Sequence, residues 1–274
     1  MNKKVLGIAV IFLAVVMLAT PVNATSTVDQ QQTVVNTDVA WSIGSDSQQE
    51  LAQVVAAGLT GILTEVQFPV GGTPGSDLIV EIQGVSEGKP DGVVLTSATI
   101  DDLPYPLPYP PTFTSLVLNW VYFSAGDQYA IVLYSEGFCG VYPGPVGDPY
   151  PYGDAFFDAR PNDPGEWLSV SIGTGIYDLP FKTLVITTPE AALQDLIDLV
   201  ESFSLQRGVE RSLVAMLSRA LAAVEDTGAN PRCGVIGILN GFIGEVNGLI
   251  DKKITSEQAD QLTAAAQAIF SLTG

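Results

Sequence analysis

Histidine is absent from this 274-residue chain. That absence removes Ser-His-Asp and Cys-His nucleophile pairs, His-ligated zinc and the side chain that shuttles protons near neutral pH. Carboxylate-only chemistry, such as glycoside hydrolysis by an Asp/Glu pair, stays open. Cysteine is nearly absent too. Only Cys139 and Cys233 occur, and neither sits in a lipid-attachment position behind the apolar start of the chain. Two cysteines do not make a disulfide scaffold. Positive charge is scarce, with 11 Lys and Arg against 30 Asp and Glu, net −19. Nucleic acid and anionic membrane surfaces select for Lys and Arg, so neither is an expected partner. Metal cations and cationic polymers suit such a field better, as does plain solubility through self-repulsion. No Asn-x-Ser/Thr sequon follows residue 24, and no second apolar run reaches membrane length.

What is present begins at the N-terminus. Lys3 and Lys4 precede an unbroken apolar run over residues 5–18, Pro21 breaks it, and Val22-Asn23-Ala24 has the small-residue pattern of a cleavage site. This predicts a signal peptide over residues 1–24, a mature chain of net −21 starting at Thr25, no membrane span after cleavage, and a secreted, extracellular or cell-surface protein.

Texture changes near Thr187-Thr188-Pro189. Every proline except Pro189 and Pro231 lies before it. Residues 25–188 carry 19 acids against Lys89, Arg160 and Lys182; residues 189–274 carry 11 acids against 6 bases. The first part reads as β. Alternation over 62–68 and 78–83, and β-rich runs over 93–100, 116–123, 129–134 and 181–186, predict strands. Gly71-Gly72, Lys89-Pro90-Asp91-Gly92 and Gly126-Asp127 are expected as turns between them. Many short strands without intervening helices predict a jelly-roll-like sandwich over residues 25–188.

The second part, residues 189–274, predicts a four-helix bundle. Thr188 is the expected cap of the first helix, with stripe Leu193, Leu196, Ile197 and Val200. Leu213, Met216, Leu217, Ala220, Leu221 and Val224 mark the second. Gly228 and Pro231 break the chain. Val235, Leu239, Phe242, Val246 and Leu249 mark the third. Thr255 and Gln258 read as a capping box before the stripe Ala259, Leu262, Ala266 and Ile269. The fold class is thus α+β in segregated modules. Cys139 and Cys233 fall in different modules and are expected to be unpaired.

The helical stretch resembles the FIMAH-type module of secreted archaeal and bacterial proteins. The matching stretches are residues 196–205 (LIDLVESFSL), 208–221 (GVERSLVAMLSRAL), 239–246 (LNGFIGEV) and 252–269 (KKITSEQADQLTAAAQAI). It departs from that pattern at Gly234, Gly237, Gly241, Gly244 and Gly248, where such helices usually carry Ala or Asn. Each Gly costs a helix about 1 kcal/mol relative to Ala, which close helix packing is expected to offset. The β part is similar to secreted sandwich modules of choice-of-anchor type over residues 63–68, 77–84, 124–133 (SAGDQYAIVL), 147–158 (GDPYPYGDAFFD) and 179–184. Such modules usually precede a C-terminal anchor, and helices stand in its place here.

Candidate ligand-binding residues are Tyr142, Tyr150, Tyr152 and Trp167, with Tyr105 and Tyr109 in YPLPYPP, as a stacking platform for sugar rings. Phe156 and Phe157 crowd the same stretch and are expected to pack internally. Asp148, Asp154 and Asp158, with Asp163 and Glu166 nearby, are candidate Ca²⁺ ligands, although no EF-hand or nonapeptide spacing supports them; turn geometry among prolines explains them as well. No other cofactor is expected. Glu65, Glu81 and Asp127 are the other acids weighed for catalysis, and no activated pair emerges. The expectation is an exported, non-catalytic, prokaryotic (by resemblance archaeal) protein that binds or adheres to extracellular polysaccharide or matrix. One alternative is a scaffolding component of the cell envelope that docks an envelope protein through the helices. Another is a pair of accessory domains from a carboxylate-based hydrolase.

Overall fold

The structure is a computed structural model. It describes residues 26–45, 48–101, 103–159, 166–172, 175–225 and 231–273. The predicted signal peptide, Asp163, Gly228 and the side chain of Cys233 therefore lie outside the described residues.

The chain is β-rich up to residue 186 and helical from residue 189. In order, the strands are β1 (Thr27–Gln32), β2 (Trp41–Gly44), β3 (Gln49–Ala56), β4 (Gly61–Phe68), β5 (Val70–Gly72), β6 (Leu78–Ser86), β7 (Lys89–Ile100) and β8 (Thr114–Phe123). Then come β9 (Gln128–Tyr134), β10 (Phe138–Val141), β11 (Ala155–Ala159), β12 (Leu168–Ser169), β13 (Ser171–Ile172), β14 (Gly175–Ile176) and β15 (Phe181–Ile186). The helices are α1 (Pro189–Ser202), α2 (Arg207–Glu225), α3 (Pro231–Leu249) and α4 (Ser256–Thr273).

A smaller sheet has the order β1-β15-β4-β8, all antiparallel. A larger, curled sheet runs β5-β10-β2-β3-β9-β6-β7, with β11 and β12 added beside β3. Their facing sides form one core. Leu63, Val66 and Phe68 of β4, Phe181 of β15 and Leu118 of β8 pack with Leu51, Val80, Ile82, Ile131 and Leu133 of the larger sheet. Alternation explains the split of side chains between faces. The other face of the smaller sheet is also apolar. Ile62 and Ile186, with half-buried Trp120, join the core of the helices, and α4 lies across β8 and β4. The helices pack in chain order, and α4 returns to α1.

Most of the predicted stripe positions are buried, with Leu193, Leu196, Leu213, Leu217, Leu239, Phe242, Leu262 and Ile269 fully enclosed, whereas Met216, Leu221, Val224 and Leu249 are only partly buried. Thr188 caps α1 by accepting from Ala191 N–H at 3.3 Å. The capping box of α4 is reciprocal: Thr255 N–H donates to Gln258 Oε1 at 3.0 Å and Gln258 N–H to Thr255 Oγ1 at 3.1 Å. The α3 glycines behave differently from expectation. A Cβ at Gly241 would meet Met216 Cε at 3.3 Å, but at Gly237, Gly244 and Gly248 it would meet nothing within 4 Å. Close packing therefore does not account for those three.

Two expected turns are strand instead. Gly71 and Gly72 belong to β5, paired with Gly140 and Cys139. Lys89 to Gly92 lie in β7; the β6–β7 reversal is Glu87-Gly88, both with φ near the left-handed region at 53° and 78°. The turn at Gly126-Asp127 is present, with Gly126 at φ 94°. Cys139 is buried with a free thiol.

Candidate functional site

The loop after β10 carries most of the sequence-predicted site, and it is folded inward. Tyr150 is 3% exposed. Its ring meets Phe181 edge-on at 5.0 Å, and its hydroxyl lies within 3.3 Å of Gln30 Oε1, Ala56 O and Ala56 N. Burial pushes its phenol above the ordinary tyrosine range. Tyr142 and Trp167 are buried as well. Trp167 packs with Ala52, Val54, Ala130, Val132 and Phe156 on the outer face of the larger sheet, and Lys89 Nζ donates to its carbonyl at 2.8 Å. Phe156 is buried and Phe157 packs against the main core. Only Tyr152 is exposed, edge-on to Tyr150 at 5.7 Å. The expected platform of Tyr142, Tyr150, Tyr152 and Trp167 is thus reduced to a single available ring. The reason is close docking onto β3. Val54 N–H donates to Asp154 O at 2.9 Å, and at Gly153 a side chain would collide with Val54 O.

The carboxylates separate in the same way. Asp148 and Asp154 are exposed, whereas Asp158 is fully buried in β11 opposite Glu50 of β3. Among the described residues, no group of three or more His, Cys, Asp or Glu side chains is placed to hold a metal ion. Glu65 and Glu81 are engaged locally, accepting from Gln67 Nε2 at 2.7 Å and Gln83 Nε2 at 2.6 Å; Asp127 accepts from Ser124 N–H at 2.7 Å.

A carboxylate absent from the sequence reading holds the loop. Asp178 is fully buried and accepts from Gln53 Nε2 at 3.1 Å and from Tyr150 N–H at 3.0 Å. Gln53 Oε1 accepts from Leu179 N–H at 2.8 Å, and Asp178 O from Gly144 N–H at 2.8 Å. The clasp joins β3, the loop and the segment before β15. Burial raises the Asp178 carboxyl from 3.8 to about 6; the two N–H donors oppose that rise, and the nearby charges of Asp148 and Asp154 reinforce it. The sequence hint was a lone acid in the otherwise uncharged run 175–181, and a lone glutamine in the apolar centre of β3.

A second surface is open. Strands β5, β10 and β2 form one end of the larger sheet, and residues 104–107 lie across its edge as a strap. Gly72 N–H donates to Pro104 O at 3.1 Å. A Cβ at Gly71 would lie 2.6 Å from that oxygen, so only glycine allows the approach. Between strap and strands runs a groove of about 350 Å³, lined by Trp41, Tyr105, Pro106, Leu107 and Phe138 over a floor of Gly71, Gly72 and Gly140. No charged side chain lines it. Tyr105 is 65% and Phe138 45% exposed. Trp41 is half-buried, held edge-on by Tyr177 at 5.6 Å. Tyr109, expected beside Tyr105, is 80% exposed and outside the lining. Phe138 was missed because the packing of the strap beside β10, not sequence proximity, places it in the same groove as Tyr105.

The chain matches no protein-family model and no curated protein.

Proposed function

We propose that the protein is an exported, non-catalytic binding protein that acts outside the cell or at its surface, adhering to extracellular glycans or matrix. The observation that carries this reading is the open groove between strap and sheet, where the exposed rings of Tyr105 and Phe138 line one apolar surface with no charged side chain in the lining. Exposed aromatics offer large contact area with little conformational entropy to lose. The leader pattern of residues 1–24 and the strongly acidic composition fit export. No described helix is long and apolar enough to cross a membrane. Within the same proposal, residues 25–188 are a jelly-roll-like sandwich of choice-of-anchor type, and residues 189–274 a FIMAH-type four-helix bundle of an archaeal protein.

The rival scaffolding role needs an apolar docking patch on the helices. Among the described residues, the exposed large apolar side chains lie between Val28 and Leu168, and none is on α1, α2, α3 or α4. The test is a polysaccharide pull-down and glycan array with the secreted protein. Saturable glycan binding is the expected result. Capture of an envelope protein with no glycan retained would move the scaffolding role to first place.

A further inference from the structure

We propose that the groove beside the strap binds an uncharged polysaccharide, whose sugar rings stack on Tyr105 and Phe138. This rests on the glycan-binding reading above and narrows it to one chemical class and one surface.

Charge selects the class. The chain carries −19, and the groove offers neither Lys nor Arg. A uronate or sulfated polymer would approach a like-charged protein and find no counter-charge on arrival. An uncharged polymer meets no such barrier. Pyranose rings also suit an apolar lining, because their C–H faces can cover an aromatic ring while their hydroxyls stay in water.

Geometry selects the surface. Tyr105 and Phe138 project from the two sides of the groove, one from the strap and one from β10. Trp41 borders the groove at the start of β2, with its ring turned to the main core and Tyr177. The glycines let the strap sit close against the sheet: at Gly140, a Cβ would press to 3.1 Å from Leu107 Cδ1. At about 350 Å³ the space is small for a ligand site but suits a short run of sugars from a longer chain. A peptide fits less well. β5 is the edge strand here, and its Gly72 N–H is already given to Pro104 O. An incoming strand therefore cannot extend the sheet, which removes the main-chain hydrogen bonds of that recognition mode.

The test is depletion of the protein by insoluble cellulose, chitin and mannan, and affinity electrophoresis in soluble xylan. Polygalacturonate serves as the charged counterpart, and each assay is run at ~50 mM and ~1 M NaCl to screen charge. At least one neutral polymer should bind equally at both salts. Tyr105→Ala and Phe138→Ala, both at exposed positions and checked by circular dichroism, should each weaken it about tenfold. Tyr152→Ala should bind as the parent does. Glycan binding unaffected by both groove variants would overturn the groove assignment and leave the glycan reading intact. Binding confined to polygalacturonate, or lost in high salt, would overturn the uncharged class. Retention of no glycan at all would overturn both, and Tyr105-dependent binding of a polyproline peptide in that case would reassign the groove to proline-rich ligands.

Discussion

Residues 103–113 and 147–154 use the same vocabulary, tyrosines separated by prolines, and meet opposite fates. The first lies over a sheet edge at residues 104–107 and leaves Tyr105 and Tyr109 in solvent. The second is drawn into the core with Tyr150 as its anchor. The difference lies in what receives each segment. The inward loop meets polar groups that its own backbone and hydroxyl can satisfy: Asp178 for the Tyr150 N–H, Ala56 and Gln30 for its OH. A buried tyrosine needs such partners, and a segment that finds none keeps its rings outside. Composition alone cannot separate the two cases.

The sharpest way to break this contrast is truncation of one ring in each segment. Tyr150→Ala should destabilise the fold by about 3–5 kcal/mol, the loss typical of a buried aromatic. Tyr105→Ala should change stability by less than about 0.5 kcal/mol. Equal urea midpoints for the two variants would mean that Tyr150 is not an anchor. Smaller but still clear effects are expected at the glycines under each segment. Gly153→Ala and Gly71→Ala both force a methyl against a backbone oxygen and should cost roughly 1–3 kcal/mol. If either is neutral in thermal melts, that segment is not docked as closely as its geometry implies.

The clasp predicts a pH dependence found on the inward side only. Asp178 holds its proton to about pH 6 when folded, against an ordinary value of 3.8. The folded state therefore binds more protons in that window, and its stability falls as pH rises from about 4 to 6. Asp29, also raised by burial against N–H donors from Gly58 and Leu59, adds in the same sense. Melting temperatures should drop across this window, and Asp178→Asn should flatten the slope. A slope unchanged in Asp178→Asn would place its origin elsewhere. The smallest effect comes from α3, where a glycine has no neighbour to accommodate. Gly237→Ala, Gly244→Ala and Gly248→Ala should each stabilise by about 0.4–1 kcal/mol. A loss of stability in any of them would reveal a close approach at that position.

The helices were legible because 3-4 spacing and two caps are local signals, written within single turns of chain. β4, β6, β8, β9 and β15 were legible through alternation or β-rich runs. β1 was not, since TVDQQQ is polar and is held by its ladder to β15 and by bonds between Gln30 and Thr183. β5 was misread because a Gly-Gly pair signals a turn as readily as a close approach under Pro104. β11 was not foreseen, because AFFDA sits among turn residues. Of the exposed aromatics lining the groove, the sequence reading included Tyr105 and did not include Phe138. It named Tyr150 for stacking and did not foresee its burial, because the clasp residues Gln53 and Asp178 lie far from it in sequence.

The smaller sheet is apolar on both faces, and this governs the order in which the molecule can be completed. Its first strand, β1, waits for β15, and its outer face waits for α1 and α4. A chain made from its N-terminus therefore carries an unfinished sheet until α4 emerges. Contacts this distant in sequence close slowly. Until then Ile62, Trp120 and Ile186 face outward, a sticky surface that a chaperone could cover and that a chain stalled before α4 would leave bare.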